Sequence, residues 1–126
     1  MEKVITKDHT EFKTWMEMCQ AVIDAHYEKM GFAPFQKTEL KVKGGRRYIK
    51  VSAVCLIQRQ DPNDHSKNLD EYAVNGESAW AFVDTMTGDV LKPASWKAPA
   101  KHARGNLFDT NKGMGWITPH GPAYLA

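Results

Sequence analysis

The sequence predicts an α+β domain, in which one N-terminal helix packs on an antiparallel sheet of about four or five strands. Apolar residues recur at three- and four-residue steps between Asp8 and Met30, which is the spacing of an amphipathic helix. From Phe35 onward, short β-branched and aromatic segments alternate with turn-forming residues. A chain of 126 residues is within the size range of one domain, so we expect residues 1–126 to form a single core.

The composition is typical of a folded protein, with 42% apolar and 25% charged residues, and it argues against disorder throughout. The net charge is only +2, so any argument from charge has to be local. Cys19 and Cys55 lack a zinc-binding spacing, and we expect both to be reduced core residues. The chain shows no apolar leader and no run near the ~20 apolar residues of a membrane helix, which predicts a cytosolic protein without membrane contact.

The helix is expected over Asp8–Met30, with its apolar residues on one face. Asp8 or Thr10 is expected to cap its start, and Asp8 with Glu11 resembles a capping box. Gly31 suits the position that follows a helix C-cap. The apolar stripe indicates a core-facing helix, although its Met and Trp content leaves a subunit interface or a ligand surface as alternatives.

Two strands are expected next, Phe35–Lys43 and the longer Arg46–Gln60, joined by a turn at Gly44–Gly45. Side chains alternate between the two faces of a strand, so every second residue of the longer strand faces the core. The predicted core-facing residues are Ile49, Val51, Ala53, Cys55 and Ile57.

Turn-forming residues divide the middle of the chain. Asp61–Asn68 is predicted to be a polar, solvated loop rather than a metal site. Leu69–Val74 is expected to re-enter the sheet, and Asn75–Gly76 is a strong turn signal.

A further hairpin is expected after that turn. Ser78–Asp84 forms its first strand, with Trp80 and Phe82 on one face by the period of two. Gly88 suits a turn residue with positive φ, and Asp89–Pro93 returns as the second strand.

Ser95–Asn106 is predicted to be a basic loop with a short helical turn near the C-terminus, opened by Pro99 and closed by Gly105. The Gly- and Pro-rich tail, residues 107–126, is expected to be ordered by packing on a surface, of this or a neighbouring subunit.

No P-loop, dinucleotide-binding or nucleophile-elbow motif is present in the sequence, so we predict no enzyme activity, catalytic residue, metal or cofactor. An acid–base pair formed by His102 with Asp84 or Asp89 is the weaker alternative.

Positive charge is concentrated in one segment, because no acidic residue occurs between Val90 and Phe108. Lys and Arg side chains bind phosphate oxygens, and an aromatic ring offers a stacking surface for a base. We therefore predict binding of a phosphate-bearing nucleotide or nucleic acid, with a solvated basic loop whose Trp96 plugs the core, or a protein contact, as alternatives. The predicted ligand-binding residues are Lys97, Lys101 and Arg104 for phosphates, Trp96 or Phe82 for stacking, Asn106 for a polar edge, and Arg46 and Lys92 for added charge.

The central part of the chain resembles a family of small, mostly uncharacterised tailed-phage proteins. The similarity comprises a strand start at Gly45–Tyr48, an S-x-x-x-F-V-D strand at Ser78–Asp84, a TGD turn at Thr87–Asp89, and the pattern from Lys92 to Asn106. This resemblance implies a phage protein that is present in the cytoplasm of an infected bacterial host cell.

In size, lack of catalytic motifs and basic-aromatic character, the chain is also similar to phage proteins that sequester nucleotide immune signals, such as the Thoeris anti-defence sponges. That resemblance implies a non-catalytic homo-oligomer that binds a cyclic-nucleotide or ADP-ribose signal. The alternatives are a small phage nucleic-acid-binding protein and a structural or host-protein-binding module.

Overall fold

The computed structural model describes residues 5–32, 35–44 and 46–122, and in it one helix packs on one face of a five-stranded antiparallel sheet. The strand order β1-β2-β3-β4-β5 pairs every strand with its neighbour in sequence. The predicted α+β fold class is therefore confirmed. The elements are α1 (Thr10–Lys29), β1 (Gln36–Lys43), β2 (Tyr48–Asp61), β3 (Asp64–Asp84), β4 (Asp89–Pro93), β5 (Pro99–Asn106), a 3₁₀ turn (Met114–Trp116), and a small hairpin of β6 (Ile117–Thr118) and β7 (Gly121–Pro122).

The start of α1 differs from the prediction. His9 is the N-cap, and its Nδ1 accepts a hydrogen bond from the backbone N–H of Glu11 at 3.1 Å. The predicted cap at Asp8 or Thr10 is therefore wrong, because Thr10 is already the first helical residue. The imidazole serves the same purpose as a capping oxygen, since it satisfies one of the backbone donors that the first helical turn leaves free.

The end of α1 confirms the prediction for Gly31. Gly31 has a φ of 77°, and its N–H donates to Glu28 O at 3.1 Å, while the N–H of Phe32 donates to Tyr27 O at 2.9 Å. This pair of bonds is the Schellman arrangement, which requires a residue that tolerates positive φ. The rings of Phe32 and Tyr27 lie 5.8 Å apart and add the apolar contact that accompanies the motif.

The core lies between α1 and the sheet. The helix contributes a stripe of buried residues at three- and four-residue spacing, and Trp15 packs against Trp80 with ring centroids 6.2 Å apart. Burial of each large apolar side chain stabilises the fold by roughly 1.5–3 kcal/mol, so this stripe fixes the helix on the sheet. The core comprises Ile5, Phe12, Trp15, Cys19, Ile23, Ile49, Val51, Trp80, Ala81, Val83, Val90 and Leu107.

The predicted core face of β2 is confirmed at Ile49 and Val51, and Ala53 packs against the core. Cys55 is only half-buried and Ile57 is exposed, because the β2–β3 hairpin extends beyond the helix. Both cysteines are free thiols, and burial raises the pKa of the Cys19 thiol.

A β-bulge changes the predicted faces of β3. Val51 pairs with Ala81 but the next residue, Ser52, pairs with Ala79, so Trp80 is an extra residue in β3. Trp80 therefore joins the core on the helix side, whereas Phe82 lies on the opposite face. The prediction that Trp80 and Phe82 share a face is wrong for this reason.

The middle of the chain is more extended than predicted. Only Pro62–Asn63 forms the turn between β2 and β3, so the predicted loop at Asp61–Asn68 is mostly strand. The predicted turn at Asn75–Gly76 is also wrong, because Gly76 pairs with Cys55 within β3 and has an extended φ of 158°. Long-range pairing with β2 overrides the local turn signal at this point.

The predicted helical turn between Pro99 and Gly105 is wrong as well. Pro99–Asn106 forms β5, an edge strand in which Gly105 pairs with Val90. Proline is accepted at the first residue of an edge strand, where its missing N–H is not needed. The hairpin before β5 is as predicted, with strand Asp89–Pro93 and a φ of 81° at Gly88.

The tail packs on the domain, as predicted. Leu107 is buried, and the indole Nε1 of Trp80 donates to Pro119 O at 3.3 Å. Lys112 forms an ion pair with Glu11 at the start of α1. Gly45 of the predicted first turn and residues 123–126 of the tail lie outside the described residues.

Within the described ranges, no helix is long and apolar enough to span a membrane.

Candidate functional site

A groove with a volume of about 380 Å³ opens on the face of the sheet opposite α1, near the start of β2. We call it the basic groove. Three of the predicted ligand-binding residues line it: Arg46, Phe82 and Lys97. The lining residues are Gly44, Arg46, Arg47, Tyr48, Lys50, Phe82 and Lys97.

Strand pairing positions the floor of the basic groove. Tyr48 pairs with Asp84 and Lys50 with Phe82, so alternation directs all four side chains to the face opposite the helix. The rings of Tyr48 and Phe82 meet edge to face, with centroids 6.5 Å apart. Phe82 is only 3% exposed, so it forms the floor and offers little surface for stacking.

The β4–β5 loop supplies the other wall. The backbone N–H groups of Ala94 and Ser95 both donate to Ala98 O, at 2.9 and 3.1 Å, which folds the loop into a tight turn. This turn places Trp96 over Lys50, whose Nζ lies 3.0 Å from the ring centroid in a cation–π contact. Trp96 is 45% exposed, so it does not plug the core, in contrast to one predicted alternative.

Hydrogen bonds from the end of β3 hold Arg46 and Arg47 in place. The hydroxyl of Thr85 donates to the carbonyl oxygens of Arg46 and Arg47, at 3.0 and 2.8 Å. Arg47 donates two hydrogen bonds to the carboxylate of Asp84, at 3.1 and 3.0 Å. Burial alone raises the pKa of Asp84, but the bonds from Arg47 and from the N–H of Met86 outweigh it, so the pKa lies below its usual value.

The remaining cations of the basic groove are not neutralised. Among the described residues, no carboxylate forms an ion pair with Arg46, Lys50 or Lys97. Partial burial lowers the pKa of Lys50, and the neighbouring Lys43 and Lys97 lower it further, against an opposing effect of Glu77. An anion in the groove would relieve this crowding of positive charge.

Three predicted phosphate or charge residues lie elsewhere. The ammonium of Lys92 donates to Pro122 O at 3.1 Å, beside the β6–β7 hairpin. Arg104 is buried and donates to His102 O, and Lys101 is exposed on β5. Lys101 and Arg104 do not line the basic groove because their segment is a strand rather than the predicted helical turn.

Both polar atoms of the Asn106 side chain form hydrogen bonds within the protein, so the side chain does not present the free polar edge that was predicted. Its Nδ2 donates to Thr87 O at 2.8 Å and to Asp89 Oδ1 at 3.0 Å. Its Oδ1 accepts from the N–H of Phe108 at 2.9 Å. The side chain thereby ties the β3–β4 turn to the end of β5, which leaves it outside the basic groove.

The sequence prediction did not include Arg47, Tyr48 and Lys50 among the ligand-binding residues. A signal for two of them was present. Ile49 and Val51 were expected to face the core, so Tyr48 and Lys50 had to face the opposite side, next to the charge of the strand start.

A larger cavity of about 470 Å³ lies on the helix side of the sheet. Tyr27, Thr38, Cys55, Trp80 and His120 are among its lining residues, and the hydroxyls of Tyr27 and Thr38 lie 2.6 Å apart. The described residues that line it include no lysine or arginine, so its chemistry does not suit a phosphate group. Across the described ranges, no group of three or more His, Cys, Asp or Glu side chains is placed to hold a metal ion.

Comparison with protein families gives one match. The model of DUF7717, a family of unknown function, matches residues 3–119 of this chain. Because the match spans most of the 126 residues, the chain belongs to this family. No curated protein and no solved structure matches the chain.

Proposed function

We propose that this member of DUF7717 is a non-catalytic protein that binds a phosphate-bearing nucleotide in the basic groove. The observation that carries the proposal is the convergence of four cationic side chains and two aromatic rings on one concavity. Its volume of about 380 Å³ lies within the range of about 300–1,000 Å³ that is usual for small-ligand sites.

The individual roles follow from the contacts. Arg46 and Lys97 bind phosphate oxygens, because the described carboxylates leave both cations unpaired. Lys50 joins them by moving its ammonium from the Trp96 ring to the anion. Trp96 is the stacking surface for the base, since Phe82 is buried as the floor.

We further propose that the ligand is a nucleotide immune signal, such as a cyclic nucleotide or an ADP-ribose derivative, and that the protein sequesters it as a homo-oligomer. The site of action would be the cytoplasm of a phage-infected bacterium. The support for this step is the resemblance of the segment from Gly45 to Phe108 to tailed-phage proteins, together with a groove suited to phosphate and a base.

The test combines ligand release with matched variants. The protein is purified from cells that express signalling cyclases, heated, and the released small molecules are identified by mass spectrometry. Calorimetric titration of a recovered nucleotide is then compared for wild type, Arg46→Ala/Lys97→Ala and Lys101→Ala. We expect a loss of affinity of at least about tenfold in the double variant, and no change in Lys101→Ala, which alters charge outside the groove.

Two results would refute the proposal: recovery of no nucleotide together with no melting-temperature shift across a nucleotide panel, or equal affinities in all three proteins.

A nucleic-acid ligand is the second candidate, because a row of β1 lysines shares the face of the basic groove. The register places Lys43 beside Lys50, and Lys41 and Lys37 continue the row. However, Lys37 and Lys41 are paired with Glu39, and Lys43 is paired with Glu77. These two carboxylates reduce the charge of the row from +3 to +1, which favours a compact ligand. The salt dependence of the affinity distinguishes the two ligands. For a single strand, the slope of log K against log salt concentration is about −0.7 per phosphate contacted, so a nucleic acid gives a steep slope and a single nucleotide a shallow one.

A further inference from the structure

Strands β2 and β3 contribute side chains to concavities on both faces of the sheet. Lys50 and Phe82 line the basic groove, whereas Ala53 and Cys55, further along β2, line the cavity of about 470 Å³ on the side of α1. We call this second concavity the helix-side cavity. Its volume also lies within the range of about 300–1,000 Å³ that is usual for small-ligand sites.

Small residues form the floor of the helix-side cavity. Strand pairing sets Thr38 beside Cys55, and Cys55 beside Gly76. In the next row, Ala53 lies beside Ser78. A Cβ added at Gly76 would meet no atom within 4 Å, so the space above this part of the sheet is open. A glycine inside a strand often marks a place where a ligand approaches the backbone closely.

Larger residues from three elements form the walls. Trp80 of β3 donates its indole N–H to Pro119 O at 3.3 Å and thereby holds the β6–β7 turn beside the sheet. The ring of His26 contacts both Tyr27 on α1 and His120 in that turn, with centroids 6.1 and 5.7 Å apart. Trp80 is only 3% exposed and forms a buried wall. Tyr27 is half-buried and His120 is exposed, so these two rings offer surface to a ligand.

A pair of hydroxyls supplies hydrogen-bonding groups inside the cavity. The hydroxyl oxygens of Tyr27 and Thr38 lie 2.6 Å apart, and among the described residues neither hydroxyl has another partner. Their mutual bond uses one of the two hydroxyl protons, so one donor and several lone pairs remain. A hydrocarbon ligand would bury these groups without satisfying them, at a cost in free energy. The cavity therefore favours a ligand that has donors and acceptors of its own.

The charges around the cavity favour an uncharged ligand. The described lining residues include no lysine or arginine, and Glu77 is the acidic one among them. The carboxylate of Glu77 is paired with Lys43 at 3.4 Å. A phosphate in the cavity would therefore lack a lysine or arginine to bind it, and an ammonium group would have to compete with Lys43 for its carboxylate.

We propose that the helix-side cavity is a second binding site, independent of the basic groove, and that its ligand is an uncharged aromatic heterocycle such as an unphosphorylated nucleobase or nucleoside. The ring packs against Tyr27 and His120, and its edge exchanges hydrogen bonds with the hydroxyls of Tyr27 and Thr38. A saccharide would use the hydroxyls without an aromatic face, and a quaternary ammonium would use the rings without the hydroxyls. Both are therefore weaker matches than a heterocycle.

Calorimetric titration with adenosine tests the site, with ribose and choline as comparison ligands. We expect a dissociation constant on the order of 0.1 mM for adenosine, and no measurable binding of ribose or choline in the same range. Ser78→Leu adds a side chain to the floor of the cavity and should weaken adenosine binding at least about tenfold. Glu71→Leu adds the same side chain at an exposed position of β3 outside the cavity, and should bind as wild type does.

The hydroxyl pair has its own variant. Tyr27→Phe/Thr38→Val removes both hydroxyls together and leaves neither unpaired, so Tm should stay close to that of the wild type. Adenosine affinity should nevertheless fall about tenfold, because the ligand loses its hydrogen-bond partners. A variant that keeps both its Tm and its full affinity would overturn the assignment of the hydroxyls to the ligand.

Trp96→Ala separates this site from the basic groove and should leave adenosine binding unchanged. Loss of adenosine binding in Trp96→Ala would instead place the nucleoside in the basic groove and overturn the proposal. Absence of adenosine binding up to about 5 mM would also overturn it, as would equal affinities in wild type and Ser78→Leu. Tighter binding of ribose or choline than of adenosine would overturn the assignment of the ligand class.

Discussion

The Gln20 carboxamide gives the sharpest stability prediction, because one side chain connects α1 to the edge of β1. Gln20→Met keeps the length of the side chain and its good helix propensity, but removes the bonds to Thr38 O and from Leu40 N. Each of these partly buried bonds contributes about 1 kcal/mol net. We therefore expect the free energy of unfolding to fall by about 2 kcal/mol, which corresponds to a loss of about 8 °C in Tm for a domain of this size.

The assay is urea unfolding at neutral pH, followed by circular dichroism. Glu17→Met is the matched control, since Glu17 is exposed on the same helix, and it should change stability by less than about 0.5 kcal/mol. If Gln20→Met behaved like this control, the carboxamide would not be an essential link between helix and sheet. The carboxamide also occupies backbone groups on the outer edge of β1, where another chain could pair. A loss of solubility in Gln20→Met but not in Glu17→Met would support this protection of the edge.

Three further outcomes are expected. Bonds from Arg47 hold the pKa of Asp84 below its usual 3.8 despite burial. The stability that the ionised carboxylate contributes is therefore present above pH 3.8 and is lost as the pH falls through the lower pKa of the folded state. In urea unfolding from pH 2 to 7, the free energy of unfolding of Asp84→Asn should fall less steeply at acid pH than that of the wild type. Gly105→Ala would place a Cβ 2.7 Å from the Cα of Gly113, and should cost about 1–3 kcal/mol in thermal unfolding. Since partial burial and neighbouring cations lower the pKa of Lys50, nucleotide affinity measured by calorimetry should weaken at alkaline pH, and less so in Lys50→Arg.

Each of these has an outcome that contradicts it. Equal acid limbs in wild type and Asp84→Asn would remove the carboxylate from the pH dependence. Gly44→Ala, where a Cβ has no neighbour within 4 Å, is the control for Gly105→Ala, and equal stabilities would show that the close backbone approach is relaxed at no cost. An affinity that does not change with alkaline pH would place the phosphate away from Lys50.

Sequence reasoning succeeded where local signals and packing agree. The apolar spacing predicts α1, and Gly31 predicts where it ends. The side chains that the spacing places on one face are the ones that α1 buries in the core. It failed where partners distant in sequence decide the conformation. Asn75–Gly76 and Pro99–Gly105 carry local turn and helix signals, but pairing with β2 and β4 keeps both segments extended.

The candidate site shows the same division. Arg46, Phe82 and Lys97 come from three separate segments, and their charge and aromatic character were readable from sequence. Which residues lie beside them in the groove could not be read from the sequence, because this depends on the register that sets Lys50 beside Phe82 and on the extra residue at Trp80. The bulge therefore places Trp80 in the core, whereas Phe82, two residues later in the same strand, forms the floor of the basic groove.

The placement of Gln20 on the edge of β1 also fixes where α1 lies along the sheet. Its carboxamide binds the carbonyl of Thr38 and the N–H of Leu40, which lie two residues apart on the same strand. A helix displaced along β1 would lose both bonds at once, so one side chain sets the position of the helix relative to the strand.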